Sequence, residues 1–276
     1  MDFNDSHMHF WDRSLMPYVW LHEVPTIWHR HAPENLHAEA GNELPAKIVF
    51  VECGGPALEE VKWVEQLAQT EPRISGIVAR ALMNAETQTT AAIAELRKHP
   101  LVRGVRHHFE HEAADYCARL EFIAGVRQLA AAGFSFDICC KHPQLPAVIE
   151  LVRSCPQTQF ILDHAGKPGI RAGLLDPWRE HIRVLAAFPN IVCKFSGLVT
   201  EADFENWTVA HLRPYATHLL NTFGPTRLLF GGDWPVAKLA SGYRRWLDTA
   251  RELLAHLSGA EQAAIFRENA ARIYRI

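Results

Sequence analysis

Residues 159–168 read Gln-Phe-Ile-Leu-Asp-His-Ala-Gly-Lys-Pro. A short apolar run breaks abruptly into charged and turn-forming residues, the pattern of a buried strand whose C-terminal end carries polar groups. The same design occurs eight times, near Phe3–Met8, Lys47–Val51, Ile74–Leu82, Val102–Phe109, Phe134–Lys141, Gln159–Asp163, Asn190–Phe195 and Leu228–Asp233. After a first gap of about forty residues the runs follow one another at roughly 25–37 positions, room for a strand, a loop, a helix and a second loop. The intervening stretches are rich in Ala, Leu, Glu and Arg at helical spacing. Pro143 and Pro177 stand where first helical turns begin, and Ser258-Gly-Ala-Glu261 is a capping box before a terminal helix. Such units without a break in composition predict an α/β fold, a (β/α)₈ TIM barrel, as one domain over residues 1–276. The competing open, doubly wound sheet lacks its Gly-rich phosphate loop after the first strand.

Composition narrows the function. With 48% hydrophobic and 21% charged residues the chain can bury a large core. A net charge of −3 creates no basic field for nucleic acid or an anionic membrane, so neither is expected as a partner. The six cysteines contain no C-x-x-C pair and lie in apolar runs, which reads as reduced thiols in a cytoplasmic protein. No apolar run reaches the roughly 20 residues of a bilayer span, and the start MDFNDSHMHFWD has no signal-peptide pattern. A homo-oligomer is compatible with all of this.

One segment is unusually long. Phe10–Pro45 follows the first strand and holds Trp11, Tyr18, Trp20, His22, Trp28, His29 and His31. In a barrel this aromatic-rich loop emerges at the C-terminal face, where it reads either as a wall of the substrate pocket or as a cap packed on the barrel mouth.

The chemistry concentrates at strand ends. In Ser6-His7-Met8-His9 two histidines at i and i+2 leave one face of a strand, about 6–7 Å apart along the chain. An H-x-H alone is weak evidence. The sixth run, however, ends in His164 and the eighth in Asp233, and closure of a barrel sets strand eight beside strand one. All four groups then point into one mouth, where they suit a single Zn²⁺ with an open position for water.

The pieces DSHMHFWD, GVRHHFE, ILDHAGKP, NIVCKFSGL, FGPTRLLFGGDWPV and ENAARIY resemble the amidohydrolase superfamily, in the branch of sugar-lactone hydrolases and 2-pyrone-4,6-dicarboxylate lactonase. The resemblance implies active-site roles for His7, His9, His164 and Asp233. Strand four ends in Arg106-His107-His108 and strand five in Cys139-Cys140-Lys141-His142, not in the carboxylated lysine or glutamate and the histidine of two-metal members. One divalent metal, zinc, or none is therefore implied.

The expected reaction is opening of a sugar lactone, an aldonolactone such as L-fucono- or L-rhamnono-lactone, to the sugar acid. Asp233 serves as general base, while His7, His9 and His164 polarise the carbonyl directly or through the metal. The alternative within the same superfamily is a zinc-dependent non-oxidative decarboxylase of an aromatic acid. Arg106 with His108, and Lys194 with Ser196, read as substrate-binding pairs on strands four and seven, or, for Arg106 and Lys194, as ion pairs with Glu52 or Asp137. Trp11 and Trp234 offer faces for sugar C–H groups. Asp163 is expected to point away from His164, and Lys167 to be a loop cation held by a carboxylate.

Overall fold

Each apolar run pairs in parallel with the next, because the helix that follows it returns the chain to the same end of the sheet. The computed structural model describes residues 2–84 and 86–276. In chain order the elements are β1 (Asn4–Met8), α1 (Pro33–Ala40), β2 (Lys47–Val51), α2 (Ala57–Thr70), β3 (Ile74–Arg80), α3 (Glu86–Leu96), β4 (Val102–Arg106), α4 (Leu120–Ala132) and β5 (Ser135–Ile138). They continue with α5 (Leu145–Ser154), β6 (Phe160–Leu162), α6 (Trp178–Ala186), β7 (Ile191–Phe195), α7 (Val209–Phe223), β8 (Leu228–Phe230), α8 (Tyr243–Leu254), α9 (Gly259–Ala263) and α10 (Asn269–Tyr274). The eight strands lie in sequence order.

The seam between β8 and β1 closes beyond the regular end of β8. Asp233 N donates to His7 O at 2.8 Å and His9 N donates to Trp234 O at 2.8 Å, with Met8 and Trp234 bridged in parallel. The barrel is thereby joined by the very residues that carry the polar groups of its mouth. Asp5 reinforces the seam: Oδ1 accepts from His7 N and Gly232 N, and Oδ2 from Tyr243 Oη on α8.

Inward-facing residues stack in layers. Val49, Val51, Val78, Ile161, Val192 and Leu229 pack with Ile273 and Tyr274 into an apolar plug inside the barrel. α10 closes the bottom, where Asn269 Nδ2 donates to Leu228 O and Arg275 to Gly133 O, both at the N-terminal ends of strands. The outward-facing side chains meet the helices. On α5 Leu145, Val148, Leu151 and Val152 follow the 3.6-residue period and are fully buried, each contributing about 1.5–3 kcal/mol.

The 10–45 segment is not a structureless loop. It carries two short 3₁₀ turns, Val19–Glu23 and Pro25–Ile27, and then α1. Trp11 and His31 exchange backbone hydrogen bonds at 2.8 and 2.9 Å, and Trp20 Nε1 donates to Cys53 O, which folds the segment onto the ends of β1 and β2.

The strands are shorter than the apolar runs. β3, β4, β5 and β8 stop at Arg80, Arg106, Ile138 and Phe230, before the expected ends at Leu82, Phe109, Lys141 and Asp233. Past these points the chain turns to build the mouth; Asp233, for example, sits at φ +53°. Among the described residues no helix is long and apolar enough to cross a membrane.

Candidate active site

A local distortion delivers the His164 side chain. Strict alternation along β6 would put His164 outward, since Ile161 and Asp163 face the barrel interior. The chain instead enters a left-handed turn at His164 (φ +49°), Ala165 (+55°), Gly166 (+67°) and Lys167 (+47°), and the imidazole swings over the mouth. Non-glycine residues in this region are strained by about 1–2 kcal/mol each, a cost that concentrates at functional sites. Gly197 makes room for the turn: at φ +62°, a Cβ there would lie 2.4 Å from His164 Nδ1.

His7, His9, His164 and Asp233 meet. His7 Nε2, His9 Nε2 and His164 Nε2 lie 3.8, 3.5 and 3.9 Å from Asp233 Oδ1. His9 Nδ1 is 2.8 Å from Val51 O. A carbonyl only accepts, so the His9 proton sits on Nδ1 and the Nε2 lone pair faces His7, 3.1 Å away. His7 then donates from Nε2 and accepts on Nδ1 from Lys194 Nζ at 3.0 Å. His164 Nδ1 meets Ser196 Oγ at 2.9 Å.

Beneath the imidazoles lies a buried ionic layer. Lys194 Nζ is 2.6 Å from Asp137 Oδ2 and 2.9 Å from Asp163 Oδ1, and all three residues have 0% exposure. Arg106 holds Glu52 Oε1 at 2.6 Å and Asp163 Oδ2 at 3.3 Å. Tyr274 Oη rises from the plug and donates to Asp137 at 2.6 Å. Burial opposes ionisation of Asp163, but Lys194 and His7 hold it well below the ordinary carboxylate range. Asp137 is pushed up to about 6 by burial, with Lys194 pulling down and the charge of Asp163 pushing up.

This layer corrects several expectations. Arg106 and Lys194 are consumed by the ion-pair alternative and are not free for substrate. Asp163 points inward, because the strand parity it shares with Ile161 prevails and His164 reaches the mouth by the left-handed turn. His108 lies beyond the end of β4; it is exposed, with Nε2 3.6 Å from Glu110. Trp11 and Trp234 have no exposed surface to offer a sugar: Trp11 Nε1 donates to His29 O, and Trp234 Nε1 donates to Glu39. Both rings build the wall behind the mouth, packing edge-on to His31. Ser196 acts on His164. Lys167 is held by a carboxylate, Glu110.

Asp5 and Tyr274 support the site and were not singled out by the strand pattern, whereas Asp163 was, with the opposite orientation. The inward parity of Asp163 was readable from Ile161; nothing in ENAARIY signals that Tyr274 enters the barrel.

The protonation states suit nucleophile activation. Burial, then Lys194, lowers His7 well below the ordinary imidazole value, and burial pushes His164 down to about 4. Burial alone would raise Asp233, but His164, His9 and Lys167 bring it below the usual carboxylate value. At neutral pH the Asp233 carboxylate faces the neutral imidazoles of His7 and His164. As pH falls through about 4, His164 gains a proton and Asp233 follows, so kcat/KM is expected to fall steeply below about 4.5. An ordinary imidazole would place that limb near 6.5. Glu201, raised to about 7 by burial, also titrates in the mouth, so the profile is best measured in Glu201→Gln, by NMR of the ring-opened product. An NMR titration that places the His164 ring itself near 6.5 contradicts the buried, neutral imidazole.

The donor set also fits a metal. Ligand atoms of His7, His164 and Asp233 all lie within 4.8 Å of one another. For His7 to free Nε2, its proton must move to Nδ1, and Asp163 Oδ1 stands 3.4 Å from that atom as acceptor.

Comparison with known proteins places these features in context. The family model described as amidohydrolase matches residues 5–276. A Burkholderia multivorans protein named L-fucono-1,5-lactonase is 33% identical over 291 residues, spanning 99% of this chain and 95% of its own length. A Burkholderia ambifaria protein of the same name is 28% identical over 278 residues, 99% of this chain and 95% of its own. A crystal structure of an amidohydrolase from Burkholderia multivorans with bound zinc superposes with a TM-score of 0.90 and 32% identity, covering 100% of both chains.

Proposed function

The chain belongs to the amidohydrolase family, and from that premise we propose that it is a hydrolase that opens the ring ester of a sugar lactone, an aldono-1,5-lactone of the L-fucono type, to the sugar acid. The observation that carries the reading is Asp233, an ionised carboxylate within 3.9 Å of three imidazoles at the mouth of the barrel, two of which, His7 and His164, burial keeps neutral. Two relatives named L-fucono-1,5-lactonase, each aligned over 99% of this chain, support the substrate class.

Asp233 takes a proton from water as the oxygen attacks the lactone carbonyl, and returns it to the ring oxygen that leaves. With Ser196 Oγ–H donating to Nδ1, His164 presents Nε2–H to the carbonyl oxygen and stabilises the charge that develops there. His7 carries a second N–H beside it, oriented between Lys194 and His9. A zinc ion, held by His7, His9, His164 and Asp233, would supply Lewis-acid polarisation and a more acidic water. A lactone has an alkoxide leaving group and needs less electrophilic help than an amide, so the imidazoles suffice.

The test is a panel of aldonolactones followed by proton release, with and without a chelator. L-Fucono-1,5-lactone is expected to turn over, and chelation to leave the rate within about threefold. Loss of most activity on chelation, restored by zinc, would move carbonyl activation from the imidazoles to the metal. No aldonolactone opened above the spontaneous rate, or CO₂ released from an aromatic acid, would replace the reading with the decarboxylase alternative.

A further inference from the structure

Beside the catalytic four, the mouth holds polar side chains that no step above uses. Lys167 forms an ion pair with Glu110 Oε2. The other oxygen of Glu110 lies 3.1 Å from His111 Nε2 and 3.6 Å from His108 Nε2, and the Cys139 thiol donates towards Oε2 at 3.9 Å. These residues follow β4, β5 and β6 at the end of the barrel that carries His164 and Asp233. The group borders the catalytic cluster: Lys167 lies in the same left-handed turn as His164, its N donating to His164 O at 2.9 Å.

A metal does not explain the group. An ion bridging His108, Glu110 and Cys139 would compete with the Lys167 ammonium for Glu110 and would need a thiolate, whereas burial pushes the Cys139 thiol up to about 12. A surface clamp between two loops does not explain it either. Lys167 is held at φ +47°, where glycine or asparagine is cheaper, and its side chain is only 18% exposed. The left-handed turn that brings in His164 thus delivers a second group to the same mouth.

We propose that Lys167 and Glu110 form a subsite that reads two neighbouring hydroxyl groups on the lactone ring. The ammonium gives one N–H to Glu110 and keeps two for a hydroxyl oxygen; the carboxylate keeps lone pairs to accept from the adjacent O–H. Each group fixes the other, so a vicinal diol meets a preorganised donor and acceptor and the ring is oriented with its carbonyl towards His164 and Asp233. The proposal rests on the lactone reading and adds how a sugar lactone is told from a plain one.

The test compares L-fucono-1,5-lactone with δ-valerolactone, the same ring ester without hydroxyls, in wild type, Lys167→Met, Glu110→Gln and Lys167→Arg. Wild type is expected to prefer the sugar lactone in kcat/KM, and Lys167→Met to lower that preference at least about tenfold, through KM of the sugar lactone. Lys167→Arg is expected to recover part of the preference. Glu110→Gln, equal in size, gives the ratio should Lys167→Met fail to fold. Equal loss on both lactones, with the preference unchanged, overturns the subsite and makes the pair structural. A wild-type protein that opens neither lactone ends the lactone reading itself, and the subsite with it.

Discussion

Asp233→Asn is expected to lower kcat for the lactone by about 10³-fold while the protein stays folded. The carboxylate faces the Nε2 atoms of His7, His9 and His164, and its lowered pKa keeps it ionised at neutral pH. Asparagine keeps the shape and tolerates φ +53°, and the hydrogen bond from the backbone N of residue 233 to His7 O does not depend on the side chain. No buried cation loses its partner, because His7 and His164 are neutral. The comparison is kcat against thermal unfolding of the two proteins. Turnover at the wild-type rate would remove Asp233 as the base; collapse of the fold would instead make it a structural member of the seam.

The second large effect is on stability. Lys194→Met is expected to cost about 3–5 kcal/mol, because it leaves Asp163 ionised in a dry layer with its main cation gone. Arg106 already serves Glu52 and reaches Asp163 only at 3.3 Å, so it does not replace the ammonium 2.9 Å away. Adding Asp163→Asn removes the stranded charge, and the double variant is expected to recover more than half of the loss in denaturant midpoint. Catalysis should not recover with it, since His7 Nδ1 has lost its donor. Unfolding of Lys194→Met at the wild-type denaturant concentration would show that the ionic layer carries no net stabilisation. A double variant no more stable than the single one would show that the cost lies in packing, not in charge.

Much of this architecture was visible in the chain. The recurring apolar runs located all eight strands, and the capping box at Ser258 is formed, Glu261 N donating to Ser258 Oγ. The four mouth residues were legible because each stands at or just past the end of one of these runs. Substrate contacts were harder. Arg106 and Lys194 look like mouth residues from their position, and only the arrival of Glu52, Asp137 and Asp163 from other strands shows that their charges are spent. Trp11 and Trp234 look like platforms for a sugar, and only the folding of the first long segment shows them covered.

Local chemistry in the sequence alone determined the barrel and the four residues at its mouth, because the alternation of apolar runs with helical stretches leaves few other ways to bury them. Tertiary structure alone decided which side chains face one another. The left-handed turn at His164 overrides strand alternation, and the partners of each buried charge lie on strands distant in the chain. Parity and charge pairing are settled by contacts across the barrel, which neighbours in sequence do not encode.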